Sequence, residues 1–209
     1  MHVGTESSCG GAAWELEQRR LAATDDDQAR GMFFQGALSV VSSLGGQGSV
    51  ARCRGVAGMW EIHPFLMYPV ARYLRMMSTA ARLLGPQLNG FDRVLLRMGE
   101  QAADDFMESQ FGQELTRDSA GCPRRLLEGL GEAYRVAVSY GERYPLWTGE
   151  SSARFVMRRD FMPVAYHEGV LACALESVGA REVRVRGRQV AMLDSEFEVS
   201  WSQRALAQG

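Results

Sequence analysis

Lysine is absent from this chain of 209 residues, and all 23 of its basic residues are arginine. A chain without lysine cannot form a lysine Schiff base and cannot carry the P-loop phosphate motif. Isoleucine and asparagine are almost missing as well, with Ile62 and Asn89 as the only examples. This composition is typical of a protein from a G+C-rich genome, and it removes two classes of enzyme chemistry.

Cysteine and histidine are too few and too scattered to indicate a metal centre. The four cysteines contain no C-x-x-C pair, which argues against a disulfide framework and a metal clamp. The histidines are His2, His63 and His167, and no G-x-S-x-G, H-E-x-x-H or glycine-rich phosphate loop accompanies them. We therefore predict no metal, no cofactor and no enzyme activity. An enzyme would be favoured only by a deep pocket that brings His167 within hydrogen-bond distance of Glu142 or another acid.

Charge and hydropathy show no bias towards a nucleic acid or a membrane. The chain has 23 basic and 25 acidic residues, so its formal net charge is −2. A chain with this charge has no overall attraction for anionic polymers. No stretch approaches the ~20 apolar residues of a membrane-spanning helix, and the first residues contain no apolar run of signal-peptide length. We expect a soluble cytoplasmic protein without nucleic-acid or membrane partners.

The chain is predicted to consist of a flexible acidic arm over residues 1–30 and a single α+β domain over residues 31–209. Within the domain, residues 31–141 show the apolar spacing of helices, which is clearest from Val70 to Leu84. After residue 141 the apolar period changes from 3.6 to 2. A sheet part over residues 142–204 is therefore predicted, in which a small antiparallel sheet packs on helices.

The sheet part reads as a strand, a helix and a hairpin. Phe197, Val199 and Trp201 alternate with polar neighbours, so they are expected to face the helices while Glu196 and Glu198 face solvent near the arginines of the preceding strand. In the preceding strand the apolar phase slips by one residue, which predicts a bulge near Gly187.

Arginines at positions 184, 186 and 188 form a row on the first strand of this hairpin. Such a row could contact a nucleic acid, but Glu196 and Glu198 occupy neighbouring positions on the last strand. Cross-strand pairs of arginine and glutamate give an ordinary solvated sheet face, which is the interpretation we favour.

Hydrogen-bonding side chains concentrate in two places near the junction of the helical and sheet parts. They could bind a small ligand, with arginine holding an anionic group and tyrosines lining an aromatic pocket. They could equally form a buried junction in which the arginine pairs with its neighbouring glutamate or a distant acid, and the histidine is a satisfied edge residue. The candidate ligand-binding residues are Tyr134, Tyr140, Glu142, Arg143, Tyr166 and His167.

The order of several motifs resembles a family of uncharacterised proteins found mainly in myxobacteria. The resemblance extends from about Met32 to Trp201, and the family brings no assigned activity. The matching pieces are Tyr68-Pro69, Leu95–Glu114, Ala133–Arg143, Tyr166–Val170 and Phe197–Trp201.

A remoter resemblance is to haem-nitric-oxide-binding and four-vinyl-reductase domains, in which a helical part precedes a helix and an antiparallel hairpin. It implies a small-molecule sensor. The haem-binding branch carries a Tyr-x-Ser-x-Arg motif, whereas this chain has Tyr140-Gly141-Glu142-Arg143, and the paired cysteines of the metal-binding branch are missing. His63, next to a proline, is expected in an exposed turn.

Two functions follow from these observations. The first is a non-catalytic sensory or regulatory domain that binds a small, partly apolar or aromatic ligand between the helices and the sheet. The alternative is a protein-interaction module without a small ligand, which acts as a homodimer or in a larger assembly.

Overall fold

The computed structural model describes residues 6–202, and its N-terminal two-thirds is helical. None of the described helices is long and apolar enough to cross a membrane. The helices are α1 (Glu6–Ala22), α2 (Gly31–Ala57), α3 (Val70–Leu84), α4 (Phe91–Glu108), α5 (Gln110–Ser119), α6 (Pro123–Ala137) and α7 (Val164–Ser177).

Two antiparallel sheets complete the fold. A short ribbon pairs β1 (Gln28–Arg30) with β2 (Met67–Pro69). The main sheet has the order β3-β4-β6-β5 and antiparallel neighbours throughout. Its strands are β3 (Glu142–Gly149), β4 (Ser152–Arg158), β5 (Arg181–Ala191) and β6 (Asp194–Ser202). The predicted α+β class, with a helical part before a small antiparallel sheet, is confirmed.

The last strand has the orientation that its alternation predicts. Phe197, Val199 and Trp201 are buried against the helices, and Glu198 is exposed. Glu196 is only partly exposed, because it pairs with Arg154 and Arg188 on the neighbouring strands. The bulge near Gly187 was wrong, because Gly187 pairs with Phe197 in regular register and the irregularities lie nearer the two ends of β5. Glycine serves another purpose there. A Cβ atom at this position would lie 2.4 Å from Val164 and 2.6 Å from the Phe197 ring.

Helices α4 and α7 cross at backbone contact. A Cβ atom on Gly99 of α4 would lie 1.9 Å from the carbonyl oxygen of Tyr166, and one on Gly169 of α7 would lie 2.2 Å from that of Leu96. Two glycines facing each other's helix thus allow an approach that side chains would prevent. The crossing places the first turn of α7, with Tyr166 and His167, in the centre of the protein.

The described part of the segment expected to be a flexible arm folds onto this centre. Leu16 and Arg19 of α1 are each only 1% exposed. Arg19 Nη1 donates to the carbonyl oxygens of Asp160 at 3.0 Å and Met162 at 3.1 Å. Helix α1 docks through Leu16, through small residues such as Ala12 and Ala13 that pack against the same core, and through Arg19, whose guanidinium reaches backbone oxygens in the loop before α7.

The described cysteine side chains are unpaired: Cys53 is buried, and Cys122 and Cys173 are partly buried. The side chain of Cys9 and the last two residues of the predicted sheet part, 203 and 204, lie outside the described residues.

Candidate functional site

A half-open cavity of about 60 Å³ lies between α4, α6 and α7. Helix α6 packs mainly against α5 and β3 and only lightly against α7, so the space under its inner face is not filled. Small apolar side chains from three helices line this space. They include Ala102 and Ala103 of α4, Ala133 and Ala137 of α6, and Val170 and Ala174 of α7.

The polar end of the cavity is built around Asp160, in the loop between β4 and α7. The preceding residue, Arg159, has the left-handed backbone conformation with φ of 49°, and a bidentate ion pair with Asp27 holds it there. This turn directs Asp160 inward, where it is 1% exposed. The carboxylate Oδ1 then accepts from the backbone N–H of Met162 at 2.8 Å, as in a local aspartate turn.

Arg143 on β3 is the charged partner of Asp160. Its Nε donates to Oδ2 at 2.9 Å, and its Nη2 donates to the same oxygen. Its Nη1 donates to the carbonyl oxygen of Tyr140 at 2.6 Å. Both charged side chains are almost fully buried, so they form an ion pair inside the protein, where the energetic cost of leaving either charge alone is high.

His167 connects this ion pair to a tyrosine. Its Nε2 lies 2.9 Å from Asp160 Oδ1, and its Nδ1 lies 3.1 Å from the Tyr134 hydroxyl. The ring is 1% exposed. Both nitrogens of the imidazole are therefore engaged by protein groups.

Four tyrosines surround the inner end of the cavity. Tyr134 and Tyr140 lie beside the Arg143 guanidinium, whose carbon is 4.5 Å and 5.4 Å from the two ring centroids. The hydroxyls of Tyr73 and Tyr166 are 3.3 Å apart. No described residue hydrogen-bonds to the hydroxyl of Tyr140.

The titration behaviour of these groups follows from burial and charge. Burial alone would raise the pKa of Asp160, but Arg143 and then His167 outweigh it and hold that pKa far below the ordinary value. Burial raises the pKa of Tyr134 and Tyr140 well above their ordinary values. At neutral pH the site thus contains an ionised carboxylate and neutral phenols.

The structure brings together five of the six predicted ligand residues. Tyr134, Tyr140, Arg143, Tyr166 and His167 all line the cavity. Glu142 does not, since β3 turns it to the exposed face of the sheet, and the distant acid that Arg143 binds is Asp160. The exposed turn expected at His63 is also present.

Sequence reasoning missed Asp160 and Tyr73. Asp160 comes just after a buried strand and directly before Phe161 and Met162, which is a usable signal because a carboxylate next to large apolar residues is seldom buried without a partner. Tyr73 lies on the apolar stripe of α3, where it reads as a core residue.

Residues 22–202 match the model of a family described as "Protein of unknown function (DUF2378)". The chain belongs to the DUF2378 family. No curated protein sequence matches this DUF2378 protein.

Solved H-NOX structures share the fold of this DUF2378 protein. An Fe(II) unliganded H-NOX protein from K. algicida has a TM-score of 0.68 at 11% identity, covering 86% of this chain and 100% of the other. An H-NOX protein from S. oneidensis in the Fe(II)NO ligation state has a TM-score of 0.65 at 9% identity, covering 83% and 99%. An oxygen-binding H-NOX domain related to soluble guanylate cyclases gives 0.60 at 10% identity, covering 83% and 95%. The resemblances found in the sequence, to an uncharacterised family and to haem-nitric-oxide-binding domains, are confirmed.

Proposed function

We propose that this DUF2378 protein is a non-catalytic sensory or regulatory domain that binds a small, partly apolar ligand in the cavity between α4, α6 and α7. The observation that carries the proposal is the combination of an unfilled apolar space with convergent polar groups at its inner end, which is the usual composition of a small-molecule site. The H-NOX neighbours, which include an Fe(II)NO state and an oxygen complex, support it by fold alone.

Helix α6 is the element that would respond to the ligand. A cavity of about 60 Å³ holds a few non-hydrogen atoms, since benzene alone needs roughly 150 Å³. A larger ligand therefore has to displace the cavity wall that packs only lightly against α7, which is α6. The end of α6 is tied to β1 through the hydrogen bond from Ser139 N–H to the carbonyl oxygen of Gln28, so movement of α6 would reach the N-terminal segment.

The residues of this site do not fit haem. His167 lines the cavity, but Asp160 and Tyr134 occupy both of its nitrogens, so it has no free atom for iron. His63, the other described histidine, is exposed and lies outside the cavity. A porphyrin is several times larger than the space present. We therefore assign a ligand other than haem.

A catalytic role is less well supported, although the cavity does bring His167 within hydrogen-bond distance of an acid. A general base needs a free nitrogen facing the substrate, and the Nδ1 of His167 faces Tyr134. Tyr134 in turn would have to ionise, which burial opposes by raising its pKa. The chain of hydrogen bonds is suited to holding protons in fixed positions and not to moving them.

A protein-interaction module remains the second candidate because one loop exposes large apolar side chains. Trp60, Phe65 and Leu66, between α2 and β2, are 64%, 76% and 54% exposed. Light scattering coupled to size-exclusion chromatography tests the homodimer that this candidate predicts. A monomer at all concentrations, with no partner in pull-down experiments, would argue against it.

A ligand screen tests the first candidate. Native mass spectrometry and thermal shift are applied with aromatic, lipid-like and tetrapyrrole compounds, and a ligand at about 100 times its Kd is expected to stabilise the protein by ~2.7 kcal/mol. Ala103→Leu fills the cavity from α4 and should abolish the shift. Ala51→Leu, at an exposed position of α2, is the matched control and should keep it. The proposal fails if no compound stabilises the wild type, or if both variants retain the shift.

A further inference from the structure

We propose that the loop between α2 and β2 is a membrane-docking site, which places Trp60, Phe65 and Leu66 in the surface of a bilayer that contains anionic lipids. This interaction goes beyond the proposed function, since residues 58–66 contribute nothing to the lining of the cavity. The net charge of −2 gave no reason to expect a membrane partner, because a sum over the whole chain does not record where its charges lie.

The tip of the loop is a tight turn that holds Phe65 in solvent. The Leu66 N–H donates to the carbonyl oxygen of His63 at 3.2 Å, and Pro64 occupies the second position of this turn, where its fixed φ is favourable. Phe65 is 76% exposed and Leu66 beside it is 54% exposed. Two adjacent apolar side chains therefore project from the protein, and Trp60 is exposed in the same loop.

The backbone of the loop depends little on water, because most of its carbonyl oxygens accept hydrogen bonds from the protein itself. An unpaired backbone oxygen opposes the entry of an irregular segment into an apolar medium. Engaged carbonyl oxygens belong to Gly58, Trp60, Ile62, His63, Pro64, Phe65 and Leu66. Burial of the exposed side chains in lipid is thus not opposed by the desolvation of these oxygens.

Three arginines behind the loop supply the charge that complements anionic lipids. They are Arg30, Arg54 and Arg72, and each donates to a carbonyl oxygen of the loop, at 3.4, 3.0 and 3.5 Å respectively. No carboxylate in the described part of the chain forms an ion pair with any of them. Glu61 is the only acid in the segment 58–66. The surroundings of the loop are therefore basic, although the chain as a whole is not.

A bilayer matches the order of these groups. The apolar side chains are at the exposed end of the loop, and the arginines come from β1, α2 and α3 behind it. Hydrocarbon and anionic headgroups follow one another in the same order from the interior of a membrane to its surface. Tryptophan also favours the level of the headgroups, and arginine can extend its charged end towards them.

Co-sedimentation of the full chain with lipid vesicles tests this site. Vesicles of phosphatidylcholine are compared with vesicles in which about a third of the lipid is phosphatidylserine. We expect the mixed vesicles to bind the protein at least about tenfold more tightly, and high salt to weaken that binding because it screens exposed charges. Equal binding to both kinds of vesicle, or binding to neither, would overturn the proposal.

Matched substitutions locate the contact. Phe65→Ser and Trp60→Ser should each weaken binding to the mixed vesicles about tenfold, and Arg72→Gln should weaken it about fivefold. The controls are Trp14→Ser on α1, where the side chain is 66% exposed, and Arg186→Gln at an exposed position of β5; neither should change the binding. Circular dichroism checks that each variant is folded. Losses in the controls as large as those in the loop variants would show that the loop is not the contact.

A second copy of the chain is the competing occupant of the loop. If light scattering shows a dimer that Phe65→Ser converts to a monomer, the loop binds protein and the lipid assignment is wrong. Lipids with brominated chains give a further check, because bromine quenches tryptophan fluorescence at short range. We expect weaker quenching in Trp60→Phe than in the wild type, and equal quenching would contradict the insertion of Trp60. Phe65→Ser should keep the thermal shift caused by a cavity ligand, so failure of this proposal leaves the proposed function intact.

Discussion

The buried ion pair of Asp160 and Arg143 offers the sharpest test of how the site is held together. Their side chains are 1% and 2% exposed, and Asp160 accepts hydrogen bonds from Arg143, His167 and the Met162 N–H. Asp160→Asn keeps the shape of the side chain but removes its charge. The cation of Arg143 is then left in the interior without a counter-charge, and an amide group replaces one of the accepting oxygens.

Breaking a buried ion pair from one side costs about 3–5 kcal/mol, a large share of the roughly 5–15 kcal/mol that stabilises an ordinary domain. Arg143→Met should cost a similar amount, because it leaves the carboxylate with too little positive charge. The double variant carries neither charge. Its loss of stability should therefore be smaller than the sum of the single losses by about 2–3 kcal/mol.

Urea denaturation followed by circular dichroism measures these free energies of unfolding. Arg188→Met is the control, since the ion pair of Arg188 with Glu196 has an N–O distance of 2.6 Å but an arginine that is 64% exposed; its removal should cost less than ~1 kcal/mol. A loss of less than ~1 kcal/mol for Asp160→Asn, or single losses that simply add in the double variant, would refute the view that this pair organises the site.

Three further predictions concern pH, the sheet and the helix crossing. The folded-state pKa of Asp160 lies below its ordinary value, so its contribution to stability is present above about pH 4 and is lost as the pH falls. Asp160→Asn should therefore reduce the dependence of the free energy of unfolding on pH in acid, and an unchanged slope would contradict this prediction. Trp201→Ala should cost ~3–5 kcal/mol and Glu198→Ala less than ~1 kcal/mol in urea denaturation, and equal losses would mean that β6 is not packed as described. Gly99→Ala should cost ~1–3 kcal/mol or more by forcing α7 away from α4. The control Gly48→Ala, with no atom within 4 Å of the added carbon, should be neutral or stabilising. Similar melting temperatures of the two variants in thermal melts would count against the close crossing.

Elements with a strong periodic pattern could be predicted from the sequence, and those whose pattern is interrupted could not. The apolar stripe of α3 and the alternation of β6 depend on local spacing alone. Strand β3 was not predicted, because Tyr144 and Leu146 lie on its outer face and mask the alternation. The glycine pair Gly45-Gly46 would be expected from its sequence to end a helix, but in the structure it makes only a kink at Gly46 inside α2, and buried residues lie on both sides of that kink.

The sequence by itself determined the fold class, the family resemblance and five of the residues that line the cavity, because tyrosine, arginine and histidine stand out where the apolar period changes. Only the tertiary structure decided what those residues do. Asp160 lies 17 positions from Arg143 and seven from His167. These three residues lie on a loop, a strand and a helix, so no regular spacing in the sequence predicts that they contact each other. Their meeting depends on the close crossing of α4 and α7 and on the left-handed turn at Arg159, which together place one buried carboxylate where three donors converge.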